Sequence, residues 1–199
     1  MPPKAKFTKQ EILQKALEIV RTEGIDRLTS RELGARLNSS ARPVFTVFEN
    51  MEEVRQEVFQ YAKELYRQYI EQGLKADLPF KGVGVSYITF AMEEPRLFQL
   101  LFMSAPAAEK DSEKAVSANI SQILPLIDAS YEKILHSVQE SYGLDRQTAD
   151  RLYRHLWIYT HGIATMCANR LCSYTMEQIS EMMTEVFKGL LFLIKNKTQ

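Results

Sequence analysis

Apolar residues recur at three- and four-residue spacing along most of the chain, and alternating β-branched runs bounded by turns are absent. The pattern predicts helices throughout. The first opens at Thr8, with Glu11 three residues on, the signature of a capping box. Its apolar face is Ile12, Ala16, Ile19 and Val20, and Gly24 stops it. A second capping box, Thr29 with Glu32, opens a short helix carrying Leu33 and Leu37, which Asn38, Ser39 and Ser40 break. Another short helix follows, to about Phe48. Pro43 fixes its start: with Ser40 as the cap, Pro43 is the third helical residue, whose amide has no intrahelical acceptor. Asn50, followed by Glu53, starts a long helix to about Gly73, with Val54, Val58, Tyr61, Leu65 and Tyr69 on one face.

Pro79 opens the next helix and Pro95 the one after it. Residues 104–113 read as a loop, and a long helix over about 114–142, kinked at Pro125, ends at Gly143. Asp145 caps a helix over about 146–171. The last starts near Thr175, with a stripe of Ile179, Met182, Met183, Val186, Phe187, Leu190, Leu191 and Ile194. That arc is wider than one intrachain partner needs. It predicts a homodimer through the last two helices, with Phe187 and Leu190 in the interface.

Composition narrows the class. The chain has 199 residues, 45% of them hydrophobic and 25% charged, enough apolar material for a packed core. No apolar run reaches the roughly 18 to 20 residues of a membrane span, and the first ten lack a secretory stretch, so a cytoplasmic location is expected. Cys167 and Cys172 match no common metal or redox spacing and are expected to be half-buried. His136, His155 and His161 have no metal-ligand spacing, and neither a phosphate loop nor a nucleophile with an evident base occurs. No catalytic residue, metal or cofactor is expected, and the chain does not read as an enzyme. Formal net charge is zero, yet residues 1–50 carry nine Lys and Arg against six Asp and Glu, while the rest is acidic. A basic head on an acidic body suits a DNA-reading module joined to something else.

Two short helices joined by a tight polar turn and packed on a longer one outline a helix-turn-helix. Residues 7–54 carry Ile12, Ala16, Gly24, Leu28, Thr29, Arg31, Glu32, Leu33, Leu37, Ser40, Val44, Phe45, Phe48, Glu52, Glu53 and Val54 at spacings that resemble the DNA-binding region of the TetR family of bacterial transcriptional regulators. Shorter echoes are Glu94 to Phe98, and Trp157 with His161 and Gly162. The resemblance implies an all-α fold: a three-helix DNA-binding domain over 1–50, then a helical ligand-binding and dimerisation domain over 51–199. Where the family usually has Tyr, Gly-Thr and Lys, this chain has Phe45, Arg42-Pro43 and Met51.

The resemblance also implies a role: a ligand-responsive regulator, a repressor, binding operator DNA as a homodimer. Expected DNA contacts are Lys4, Lys6, Thr29, Arg31, Ser40, Ala41, Arg42, Pro43, Phe45 and Thr46, with Arg42 placed to read guanine. A hydrophobic inducer is expected in a cavity walled by Phe90, Phe98, Phe102, Tyr131 and Trp157, with Tyr131 and His161 as polar handles. The alternative is a regulator of the same fold that binds DNA weakly and acts through a protein partner.

Overall fold

A computed structural model describes residues 6–103 and 130–196. The expected loop at 104–113, the first half of the 114–142 helix with its kink at Pro125, and Lys4 lie outside the described residues. Eight α-helices occur among the described residues, and no strand: α1 Lys9–Glu23, α2 Ser30–Arg36, α3 Met51–Leu74, α4 Pro79–Glu93, α5 Pro95–Phe102, α6 Tyr131–Tyr142, α7 Arg146–Ala168 and α8 Met176–Asn196. The all-α class read from the periodicity is the class observed. None of the described helices is long and apolar enough to cross a membrane.

Most helix boundaries follow from their caps. Thr8 Oγ1 accepts the Glu11 amide at 3.2 Å, and the Glu11 carboxylate accepts the Thr8 amide at 2.7 Å, a reciprocal box. Gly24 ends α1 with φ at 92°, a conformation a Cβ would strain. The second box is only half formed. Thr29 Oγ1 accepts the Glu32 amide, but the Glu32 carboxylate turns to Arg36 instead. The Thr29 amide already donates to the Arg27 carbonyl, so nothing is left for Glu32 to satisfy. Asp145 caps α7 through the Thr148 amide, and Thr175 and Gln178 form a reciprocal pair ahead of α8. The chain leaves α7 at Ala168, three residues before the expected end. Arg170, at φ 56°, turns it back, and the Leu171 amide bonds the Met166 carbonyl.

Two sequence readings need correction. On α3 the buried stripe is Val54, Val58, Ala62, Tyr66 and Ile70, not Tyr61, Leu65 and Tyr69. Both sets fit a helix, since spacings of three and four are equally helical. Steps of four throughout put the small Ala62 inside and leave Tyr61 exposed, beneath the Arg21 guanidinium at 5.6 Å. The second correction concerns residues 40–48. They form a 3-10 turn, Val44–Thr46, rather than a short α-helix. Pro43 has no amide to give the Ser40 carbonyl. The first bond therefore runs from the Val44 amide to the Ala41 carbonyl at 3.1 Å, and the next two keep the same three-residue step.

The described residues fall into two compact units, one drawn from 1–65 and 94–104, the other from 66–93 and 105–199. In the first, α1 packs on α2 and α5 around Ile12, Ile19, Leu28, Leu33, Phe48 and Leu97, all at most 2% exposed. Truncating one such side chain, Phe48 for instance, costs about 3–5 kcal/mol. Arg21 adds a two-pronged contact to Glu94 at 2.7 and 2.9 Å. In the second unit, α7 packs against α4, α6 and α8. The end of α3 crosses α4 with almost no gap: a Cβ on Gly73 would lie 2.6 Å from the Gly82 carbonyl oxygen, and one on Gly82 only 2.2 Å from that of Gly73.

Candidate nucleic-acid interface and ligand cavity

In the first unit, the turn after α2 is clamped onto α2 at Gly34. A Cβ there would meet the Ala41 amide nitrogen and the Ser40 carbonyl carbon, each at 2.9 Å. An isolated glycine inside a helix signals such a packing need. Val44 and Phe48 anchor the turn from below, at 0% and 2% exposure, while Phe45 stands 44% exposed. Thr46 donates its hydroxyl to the Pro43 carbonyl at 2.6 Å.

Ion pairs engage some cations of this unit and not others. Lys9, Lys15, Arg21, Arg27, Arg36 and Arg55 each face a carboxylate. Arg31, in the first turn of α2, and Arg42, at the start of the 3-10 turn, are exposed and have no ion-pair partner among the described residues. Lys6 reaches Ser39 at 3.3 Å. Thr29 is spent on capping, Ser40 is exposed, and Ala41 and Pro43 are half-buried. Of the expected DNA contacts that are described, Lys6, Arg31 and Arg42 carry positive charge with no carboxylate partner among the described residues.

The second unit holds a cavity of about 250 Å³. Seven aromatic side chains line it: Tyr66 from α3, Phe80 and Tyr87 from α4, Tyr142 from α6, Tyr153 and Trp157 from α7, and Phe187 from α8. Leu78, Val83, Leu156 and Met183 fill between them, and Thr160, Thr184, Lys81 and Lys188 are its polar members. The rings meet one another edge to face: Phe80 with Tyr153 at 6.0 Å and with Phe187 at 6.2 Å, Tyr87 with Trp157 at 6.3 Å.

Of the side chains expected around an inducer, Trp157 lines this cavity. His161 lies behind it, stacked on Trp157 at 4.8 Å between ring centres, with its Nδ1 2.9 Å from the Tyr87 hydroxyl. Burial holds the His161 imidazole below its usual pKa, which favours the neutral ring. Phe90 is fully buried against Tyr66 and Tyr69, outside the lining. Phe98 and Phe102 belong to the first unit, ring to ring at 5.1 Å. Tyr131 hydrogen-bonds Asp150 in a separate cleft with Arg146 and Gln147; burial and that carboxylate push its phenol up to about 12. Phe187, expected in a dimer interface, packs on Phe80 and Tyr142 within the chain. The lining residues Tyr66, Phe80, Tyr142, Tyr153 and Phe187 sit on five helices. Each reads as ordinary core until those helices are assembled. Cys167 and Cys172 are free and half-buried, as expected.

Among solved structures, a variant of TetR from Acinetobacter baumannii AYE in complex with minocycline is similar at 16% identity, covering 96% of each chain with a TM-score of 0.47. No curated protein matches. Residues 80–187, more than half of the chain, match the family model described as tetracyclin repressor-like, C-terminal domain. That stretch runs from the first wall residues of α4 to Phe187 of α8, and with it the chain belongs to the TetR family of transcriptional regulators.

Proposed function

We propose that the chain is a ligand-responsive repressor that binds operator DNA as a homodimer in the cytoplasm and lets go when an apolar small molecule fills the cavity. Residues 1–50 act as the DNA-binding domain and 51–199 as the ligand-binding and dimerisation domain. The observation that carries this reading is the pair of exposed, uncompensated arginines, Arg31 and Arg42, on either side of the glycine-clamped turn. Protein cations left without carboxylates are what a phosphate backbone or a guanine edge requires. The remaining contacts come from Lys4, Lys6, Thr29, Ser40, Ala41, Pro43, Phe45 and Thr46.

Dimerisation is supported by apolar side chains that stand exposed among the described residues. Ile158 and Met166 on α7 are 52% and 36% exposed, and Phe192 and Leu193 on α8 are 68% and 54% exposed. Such a face, repeated on a second copy, makes a self-complementary interface. Ligand then acts by population shift, favouring the arrangement whose two reading heads are wrongly spaced.

The test is anisotropy titration against duplexes selected from a random pool, repeated across salt concentrations. Operator binding predicts a steep salt dependence. Arg42→Ala should flatten preference at one position per half-site with the slope nearly unchanged, whereas Arg31→Ala should lower the slope by about one unit. One feature favours the second reading, a regulator that binds DNA weakly and acts through a protein partner. The reading element is a three-residue 3-10 turn with a phenyl ring at Phe45, not an α-helix with a phenol. A selection that yields no preferred duplex would establish that alternative.

A further inference from the structure

The charge on the cavity wall identifies the class of molecule that fits it. Among the described lining residues, Lys81 and Lys188 are the only charged side chains, and no Asp, Glu or His is present. Neither lysine has an ion-pair partner among the described residues, and Lys188 is exposed while Lys81 is half-buried. Their stems can therefore lie along apolar wall while the ammonium groups sit at the wetter side. The remaining polar inventory is rich in donors. Thr160 is 5% exposed, lines the cavity, and makes no hydrogen bond among the described residues. Its hydroxyl is therefore available to a polar group of a guest. Thr184 gives its proton to the Ser180 carbonyl, which leaves its oxygen lone pairs free.

Seven aromatic rings set the shape of the occupant, and the volume sets its size. About 250 Å³ lies just below the range of drug-sized pockets, so the molecule has one or two rings rather than four. Aromatic walls also bind cations over open ring faces. Here, however, several ring faces are already met by neighbouring edges, and two lysines share the wall. A cationic guest would meet like charge and find no carboxylate among the described lining residues. An anionic guest would meet two unpaired ammonium groups.

We propose that the ligand is a small aromatic carboxylate, its ring among Phe80, Tyr153, Trp157 and Phe187 and its carboxylate held by Lys81 and Lys188. The proposal rests on the reading of this cavity as the regulatory ligand site, and names the ligand class for it.

Three probes of one shape separate the outcomes: 2-naphthoate, the neutral 2-naphthamide and the cation 2-naphthylmethylammonium. Each is titrated into the full chain by calorimetry and by emission of Trp157, the single tryptophan of the sequence. Naphthoate should bind at least tenfold more tightly than the amide, and the cation more weakly than either. Lys81→Gln and Lys188→Gln should each weaken naphthoate severalfold and leave the amide unchanged; circular dichroism confirms that both variants are folded. If the cation binds as well as naphthoate, or if both lysine variants bind naphthoate normally, the carboxylate assignment is overturned while amide binding still supports a ligand site. If none of the three evolves heat or alters Trp157 emission up to millimolar concentration, the reading of the cavity as a ligand site falls with it.

Discussion

Replacing Gly34 by alanine sets two effects of opposite sign against each other. Gly34 lies inside α2 and is buried, so helix propensity alone favours alanine by about 1 kcal/mol. The new methyl group, however, would stand 2.9 Å from two backbone atoms of Ser40 and Ala41 and 3.1 Å from the Ser40 carbonyl oxygen. Carbon contacts settle at about 3.5–4.0 Å, so three atoms overlap by about half an ångström or more. None is the tip of a rotatable side chain. Relief requires the whole 40–43 turn to move, and overpacking of this kind costs about 1–3 kcal/mol. The net expectation is a loss of about 1 kcal/mol, a fall in Tm of about 2–4 °C for a chain of this length. The displaced turn carries Arg42, so DNA affinity should fall further than Tm implies. Thermal melting and DNA anisotropy on the same preparation measure both. A Tm raised by several degrees with unchanged DNA affinity would refute the reasoning, because it would mean the turn is not clamped at Gly34.

Gly84→Ala has the opposite character: its Cβ would meet only the end of the Met183 side chain, Cε and Sδ, and that flexible tip can swing aside. Stability should change by less than about 1 kcal/mol while naphthoate affinity drops, because the thioether is pushed along the cavity wall; calorimetry and melting together check this. The depressed pKa of His161 gives a pH dependence with a definite sign. Above about pH 6.5 the ring is neutral in both states, and below it the unfolded chain takes the proton first, so stability declines as pH falls through the folded value. His161→Gln should flatten that part of the curve in denaturant titrations at pH 5 to 8. Ile158→Glu combined with Phe192→Glu should yield monomer in sedimentation without loss of helicity, and an unchanged dimer would place the interface elsewhere.

The family resemblance was legible at residues 7–54, yet the family model matches 80–187, where the chain offered only helical character and two short echoes. Spacing in a helix-turn-helix is fixed by tight turns and caps, and those are local signals. A ligand domain keeps its helices while its side chains change, so little local pattern survives to be read. The same contrast explains the misplacements. Thr8, Asp145 and Thr175 marked their helices correctly because a cap is decided within four residues. Tyr61 and Ala62 compete for the inner face of α3, and the choice depends on neighbours far along the sequence. Pro43 does begin its element, but as the residue ahead of a 3-10 turn and not as the third residue of a helix capped by Ser40. Phe90, Phe98 and Phe102 share the composition of the cavity wall but not its location.

The crossing of Gly73 and Gly82 bears on how selectivity is set. The two glycines touch backbone to backbone, so neither partner can shrink to accommodate growth in the other. No compensating substitution exists, and any side chain at either position must separate α3 from α4. Those two helices carry Tyr66 on one side and Phe80, Lys81, Val83, Gly84 and Tyr87 on the other, more than a third of the cavity's described lining. The glycine pair is in effect a calliper: it fixes the bore of the chamber from outside it. Relatives that keep both glycines should accept guests of similar thickness whatever their wall residues. A relative with alanine or serine at either place should have a wider chamber and prefer bulkier guests.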